Sequence, residues 1–259
     1  MSEDTSSGLG LFGFFLGIVL AGGSYFAVAM LLGATTMTAA IVLGVTAVIG
    51  AGYSAIAFSK STYAVGPLSI FGYLLDMSWS LLNTTAALLV WIPACKIGKA
   101  NFVAPDDDSK RSGTFVYDKN PRGGGYDATT IGTCVAGGWS SHEETHVWQA
   151  RIFGPTYLAA YGLAWIFNVL FRLITGKTKN IGLEAYFRIP FEDWAYWGGS
   201  TRGNDIDWAW WFVGFLLASI YTGSLVAIVV GIVLGSWPIS LGGAGVLVVY
   251  SLIRAVTPR

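Results

Sequence analysis

The chain is poor in charge, histidine and cysteine. Of its 259 residues only 12% are Asp, Glu, Lys or Arg, about half of what a soluble domain carries. Lys plus Arg and Asp plus Glu stand at 15 each, so the net charge is zero and no nucleic-acid partner is indicated. Two cysteines cannot build a disulfide framework. The charge needed for a disordered or coiled-coil chain is absent. What is abundant is apolar surface and glycine. The hydrophobic set makes up 54% of the chain, glycine accounts for 34 residues, and mean hydropathy is +0.58. Glycine without a collagen period suits closely packed membrane helices. The composition is that of an integral membrane protein.

Apolar runs long enough to span a bilayer occupy 8–32, 38–58, 68–95 and 208–234, and a shorter one occupies 237–253. Asp76 and Asn83 interrupt the third run, seven residues apart and so on one helical face. They read as interhelical hydrogen-bonding groups, with a transport role for Asp76 as the lesser option. Gly13-x-x-x-Gly17 lets a second helix approach the first closely. Trp208, Trp210 and Trp211 mark the membrane edge of the fourth run. The opening Met1-Ser2-Glu3-Asp4 is acidic where a signal peptide is basic, so no signal peptide is expected.

Between 96 and 151 the chain becomes polar and turn-rich. Asp106 to Asp108, Lys110 and Arg111 read as a solvated loop, and Gly123 to Gly125 as a turn. Residues 114–117 and 129–135 have strand character. A second polar stretch runs from 177 to 207. Gly176-Lys177-Thr178 has the ending of a phosphate loop, but Phe171 stands where its first glycine belongs, so that reading is rejected.

The two histidines of the chain are His142 and His146, in His142-Glu143-Glu144-Thr145-His146. Four residues apart on a helix, both imidazoles reach one ion, and Glu143 is placed to take a proton from a water on that ion. Ser140 and Ser141 are N-cap candidates, with Ser141-x-x-Glu144 as a capping box, and Gly154-Pro155 is a stop. A helix over 141–153 is predicted, with a strand in the preceding 129–138 beside the cleft. A third ligand is needed, and the later carboxylates are Glu184, Glu192, Asp193, Asp205 and Asp207. Pro190 opens a second helix that carries Glu192 and Ala195 on one face.

The string His142-Glu143-x-x-His146-x-x-Gln149, Gly154-Pro155 and Tyr186-x-x-x-Pro190-Phe191-Glu192-x-x-Ala195-Tyr196 resembles a largely uncharacterised bacterial group of zincin-like proteins, over roughly residues 125–200. More widely it is similar to the gluzincin metallopeptidases, whose third zinc ligand is a glutamate on a later helix. The resemblance implies His142, His146 and Glu192 as zinc ligands and Glu143 as general base, with Glu184 the alternative ligand. This chain has Ile189 where the group often has Asn. Two histidines and a carboxylate also suit non-haem iron, but the interposed Glu143 favours zinc. Tyr161, Tyr186 and Tyr196 are candidates to assist an oxyanion.

If His146 and Glu192 hold one ion, both lie on one side of the bilayer. The apolar run 155–174, which contains Asn168 and Arg172, is then no simple span and lies along the surface or re-enters. Five spans remain. With a cytoplasmic C-terminus, Lys60 alone of the basic residues falls outside, while Lys96 through Arg202, Arg254 and Arg259 are inside, in accord with the positive-inside rule. Cys95 and Cys134 are then expected as reduced packing residues.

The expected architecture is an α-helical polytopic membrane protein of about five transmembrane helices with a small α+β zincin-like extramembranous region. Its divisions are 1–95, 96–207 and 208–259. The expected setting is a bacterial inner membrane with the metal site on the cytoplasmic side. The leading functional expectation is a membrane-anchored zinc metallopeptidase acting on a peptide or protein segment near the bilayer. The rival is a non-catalytic accessory subunit that retains the metal site among other membrane subunits.

Overall fold

A computed structural model describes residues 3–123, 128–199 and 205–256. Gly124, Gly125, Arg202 and Arg259, and the side chain of Arg254, lie outside what it describes. The fold is mostly helical with one small sheet, and it divides into two compact units at Pro155 and Thr156.

The first unit opens with α1 (Glu3–Gly17), which continues through a π turn (Ile18–Gly22) into α2 (Gly23–Leu31). Then comes α3 (Thr36–Ser59), capped by Thr35, whose hydroxyl accepts from Thr38 N at 3.2 Å. Glycine decides how α1 meets α3. A Cβ at Gly17 would stand 2.1 Å from the carbonyl oxygen of Gly50, and one at Gly13 would stand 2.6 Å from that of Ser54. The backbones therefore touch where larger side chains would hold them apart.

The third apolar run is not one straight span. It divides into α4 (Pro67–Asp76) and a helix that bends away from it by 81°. That second helix comprises α5 (Leu81–Ala86), a π turn (Ala87–Trp91) and α6 (Ile92–Ile97). Pro93 is the second residue after the π turn, where its missing N–H interrupts the helical ladder. Asp76 and Asn83 thus fall on either side of a corner instead of along one face.

The polar stretch forms β1 (Phe102–Val103), α7 (Asp107–Ser112), β2 (Phe115–Tyr117), β3 (Thr129–Ile131) and β4 (Cys134–Ala136). The sheet order is β1-β2-β4-β3, with β2 and β4 parallel and the outer pairs antiparallel. The single strand expected over 129–135 is in fact a hairpin, because the chain reverses at Gly132. That residue has φ +56°, and a Cβ there would lie 2.3 Å from the carbonyl oxygen of Asn83. Tyr53, Met77, Leu81, Cys95, Phe115 and Cys134 form the core between the sheet and helices α3 to α6. Cys95 and Cys134 are free and buried, as expected of packing thiols. The unit closes with α8 (Ser141–Phe153).

The second unit holds α9 (Tyr157–Ile174), α10 (Ile181–Tyr186), α11 (Pro190–Gly198), α12 (Trp208–Val233) and α13 (Trp237–Val256). Asn168 Nδ2 donates to Ala185 O at 3.1 Å and Trp165 Nε1 to Gly182 O at 3.0 Å, which ties α10 to α9. Glycines again set the close crossings. A Cβ at Gly214 would meet the Cα of Trp194 at 2.6 Å, and one at Gly243 would meet the carbonyl oxygen of Ser224 at 2.6 Å. Asp207 caps α12 by accepting from Ala209 N and Trp210 N.

Among the described residues four stretches are long and apolar enough to cross a membrane, namely Gly8–Leu31, Thr36–Ser59, Ser141–Ile174 and Trp208–Val233. Counting the bent pair as one span makes five, and Trp237–Ile253 is a shorter apolar helix. Length and composition therefore admit the 155–174 run, which the sequence reading set aside, and make the third run conditional on its corner. These long apolar helices suggest a membrane protein.

Candidate metal centre

The helix that bears the histidines is held at both ends by bonds within the first unit. At its start Ser140 is the N-cap, and its hydroxyl accepts from Glu143 N at 3.4 Å. The cap is thus one residue earlier than the Ser141-x-x-Glu144 box would have it. At its end Gly154 has φ +52° and ψ −130°, and a Cβ there would run into the Trp79 indole at 2.2 Å. The last carbonyls of a helix have no partner within it. Here the corner between α4 and α5 supplies them. Ser80 Oγ donates to Ala150 O at 3.0 Å, and Trp79 Nε1 to Ile152 O at 3.1 Å. Asn83 Nδ2 donates to Ala150 O at 2.9 Å and to Gly154 O at 2.7 Å.

A buried ion pair adds to this clamp. Arg151 of α8 donates to Asp76 from Nε at 3.0 Å and from Nη2 at 2.7 Å, and both side chains are fully enclosed. Tyr63 donates to the same carboxylate at 2.6 Å and lies 2.8 Å from Tyr53, which donates to Thr133 on the hairpin. Gly72 makes room, since a Cβ there would press on the guanidinium at 2.9 Å. Two charges this deep are tolerated because they pair and hydrogen-bond with each other, although Nη1 of Arg151 is buried with no hydrogen-bond partner. Asp76 is therefore an anchor for α8, which agrees with the hydrogen-bonding reading of that residue.

Side chains near the motif are also positioned. His142 and His146 are both buried, and their Nε2 atoms stand 3.2 Å apart. Nδ1 of His146 lies 2.8 Å from Oε1 of Gln149. An amide oxygen can only accept, so the proton sits on Nδ1 and the Nε2 lone pair is turned toward His142. Thr130 of β3 donates to Oε2 of Glu143 at 2.5 Å, and the neighbouring Glu144 is faced by Arg111 of α7 at 3.6 Å. α7 is itself capped by Asp106. The Ser109 hydroxyl and amide hold that carboxyl below its ordinary range. Burial pushes the Tyr117 hydroxyl of β2 up to about 12.

In the second unit Glu192 lies in the first turn of α11, where Pro190 occupies the first helical position and Ile189 is the N-cap. Its side chain is fully buried and its Oε1 accepts a hydrogen bond from Tyr161 of α9. Tyr161 thus serves the carboxylate. The ligand atoms of His142, His146 and Glu192 all lie within 4.8 Å of one another, forming a buried His-His-Glu group that could hold a metal ion.

The other candidates stand elsewhere. Glu184 faces Arg172 at 3.6 Å and is 45% exposed. Asp193 accepts from Tyr250 at 3.4 Å, and Asp207 caps α12. Tyr186 packs its ring against Tyr161, and Tyr196 is exposed. Sequence reasoning missed the roles of Thr130 and Arg151. Neither lies in a recognisable pattern, and the one available signal was a lone carboxylate, Asp76, in an apolar run.

The donor set suits a borderline divalent ion such as zinc. Two nitrogens on one tetrahedral zinc at about 2.0–2.1 Å would stand about 3.3 Å apart, close to the separation of the two Nε2 atoms. Protein-family models, curated proteins and solved structures were all compared with the chain, and nothing among them matches it.

Proposed function

We propose that the chain is a membrane-anchored, zinc-dependent metallopeptidase-like protein that hydrolyses a peptide bond near the bilayer. The observation that carries this reading is the buried grouping of His142, His146 and Glu192, with Glu143 between the two histidines in sequence. His142, His146 and Glu192 would hold the ion. When bound, zinc supplies Lewis acidity toward a carbonyl and acidifies water. Glu143 accepts the proton of the attacking water and returns it to the leaving amine. The bond from Thr130 orients the carboxylate of Glu143. Gln149 fixes the tautomer of His146, and Tyr161 orients Glu192. On the charge pattern the site faces the cytoplasm.

A second reading has a specific observation in its favour. His142, Glu143 and His146 are only 4%, 6% and 4% exposed, and Glu192 is fully buried. Such enclosure suits a non-catalytic accessory subunit that keeps a metal for stability. Metal analysis of the purified full chain, with His146→Ala and Glu143→Gln alongside, tests both. Metal in the wild type and in Glu143→Gln but not in His146→Ala, with peptide cleavage lost only in the two variants, supports the peptidase. Metal without cleavage supports the accessory role, and metal-free wild type from metal-replete medium overturns both.

A further inference from the structure

Both ends of the bent third run meet the same polar region. Ala64, just before α4, donates its N–H to Lys110 O at 3.0 Å, and Ser69 Oγ of α4 donates to the same oxygen at 3.0 Å. Lys60 Nζ stands over the Phe102 ring of β1, 5.5 Å from its centroid. Tyr53 of α3 donates to Thr133 of the hairpin at 2.9 Å. Lys60 and Ala64 precede the bent pair, whereas Phe102 and Lys110 follow it. A segment that crosses a bilayer delivers its ends to opposite faces, about 30 Å apart. Between Ile97 and Lys110 the chain carries Asn101 and Asp106 to Asp108, and its regular structure is a two-residue strand and the start of α7. Such a stretch cannot return through lipid.

Glycine contacts place the start of α1 at the same end. A Cβ at Gly10 would lie 3.5 Å from that of Ser59, and one at Gly22 would lie 3.0 Å from that of Ala47. α1 and its continuation therefore run antiparallel to α3, with Gly10 level with the last residue of α3.

The dimensions and surface of the bent pair suit one leaflet. α4 has 10 residues, so it is about 15 Å long, half the depth of the hydrocarbon. Its exposed Leu68, Phe71 and Leu74 are apolar, as are the exposed Leu82, Leu89 and Val90 beyond the corner. Asp76 is turned inward onto Arg151 and Tyr63, and Lys96 stands in the last turn of α6. At the corner Ser80 N donates to Leu75 O at 2.8 Å and Thr84 Oγ1 to Asp76 O at 3.0 Å. Backbone groups that hydrocarbon would leave unmet are thus taken up within the turn.

We propose that the bent pair α4–α6 is a re-entrant element, which enters and leaves the bilayer on one side and seats its apolar outer face in the acyl chains of that leaflet. Residues 1–122 then cross the membrane twice, through α1–α2 and through α3. Lys60, which the sequence reading set apart from the other basic residues, joins them. Every lysine and arginine of residues 1–122 lies at or after Lys60. All of them fall on one side, and the turn between α2 and α3 on the other side carries no charge, as the positive-inside rule favours. None of this depends on the metal site, and all of it lies within the first unit.

Sealed right-side-out and inside-out membrane vesicles from cells expressing the full chain provide the test. Wild-type vesicles are treated with a membrane-impermeant amine-acylating reagent. Modification of Lys60 and Lys119, both exposed, is then read by peptide mass mapping. Both should be modified in the same vesicle orientation, and both should lose modification in the other. Modification from opposite sides means that the pair crosses, and overturns the proposal. Thr36→Cys, at the exposed start of α3, should react with an impermeant maleimide only in the orientation that protects Lys60. The wild type, whose two thiols are buried, is the blank. Labelling of Thr36→Cys from the Lys60 side overturns the count of crossings. The lipid contact is read from a nitroxide attached to Leu82→Cys in a bilayer, or to Leu89→Cys if the first variant does not fold. Faster relaxation by dissolved oxygen than by a water-soluble nickel chelate is expected. Preference for the chelate places water on this face, and protection from both places protein there; either result overturns the lipid contact.

Discussion

Arg151, five residues beyond His146, makes a two-pronged, fully buried ion pair with Asp76 at the corner of the bent third run. The helix that presents the imidazoles is thus fixed to the helical bundle through a charge pair. Such a pair is far costlier to break than it is worth as a stabilising element.

Removing one partner leaves the other charged and enclosed. Asp76→Leu and Arg151→Met should each destabilise the protein by about 3–5 kcal/mol, whereas the double variant should cost much less than their sum. Denaturant or thermal unfolding of the three variants in one detergent checks this. Additive costs would show that the two residues act independently.

If the proposed His-His-Glu group holds a divalent metal, Glu192→Gln should lower metal content and Glu184→Gln should leave it unchanged, because Glu184 is half exposed beside Arg172. Gln149→Met keeps the volume but removes the acceptor for His146 Nδ1, and should weaken zinc binding by about 10–100-fold. Metal competition with a chelator measures all three.

Thr130→Val removes the donor to Glu143 while keeping the shape of the side chain. Metal content should stay as in the wild type. If the chain cleaves peptides, kcat/KM should fall by about 10-fold or more, because the carboxylate loses the donor that orients it. Unchanged kcat/KM would remove Thr130 from any role in positioning the base.

Two glycines of the first membrane helix separate packing from propensity. Gly17→Ala should destabilise by about 1–3 kcal/mol, since its Cβ would overlap the carbonyl of Gly50. Gly23→Ala should be neutral or stabilising, because nothing lies within 4 Å of the added atom. Melting midpoints of the two variants make the comparison.

Much of this molecule was readable in the chain because the signals are local. The helix Ser141–Phe153 follows from a serine cap and a Gly-Pro stop that act within one turn of backbone. The first two apolar runs and the fourth are helices for the same reason: apolar length is counted along the chain. The third run shows the limit of that counting. Its hydropathy is continuous, but Met77 to Ser80 turn a corner, and Ser80 and Asn83 then spend their polar groups on the carbonyls of α8. The hairpin at Gly132 was missed likewise, since close approach to Asn83 is visible only in three dimensions.

By itself the sequence determined that this is a helical, membrane-type chain with two imidazoles one turn apart and a carboxylate beside them in sequence. Those properties depend on composition and on the 3.6-residue period. Only the tertiary structure decided that Asp76 anchors Arg151, that Thr130 serves Glu143, and that Tyr161 bonds Glu192. Each of these pairings joins residues distant in sequence or on different elements. Their meeting is set by where helices bend and how closely glycine lets backbones pack, which no local pattern encodes.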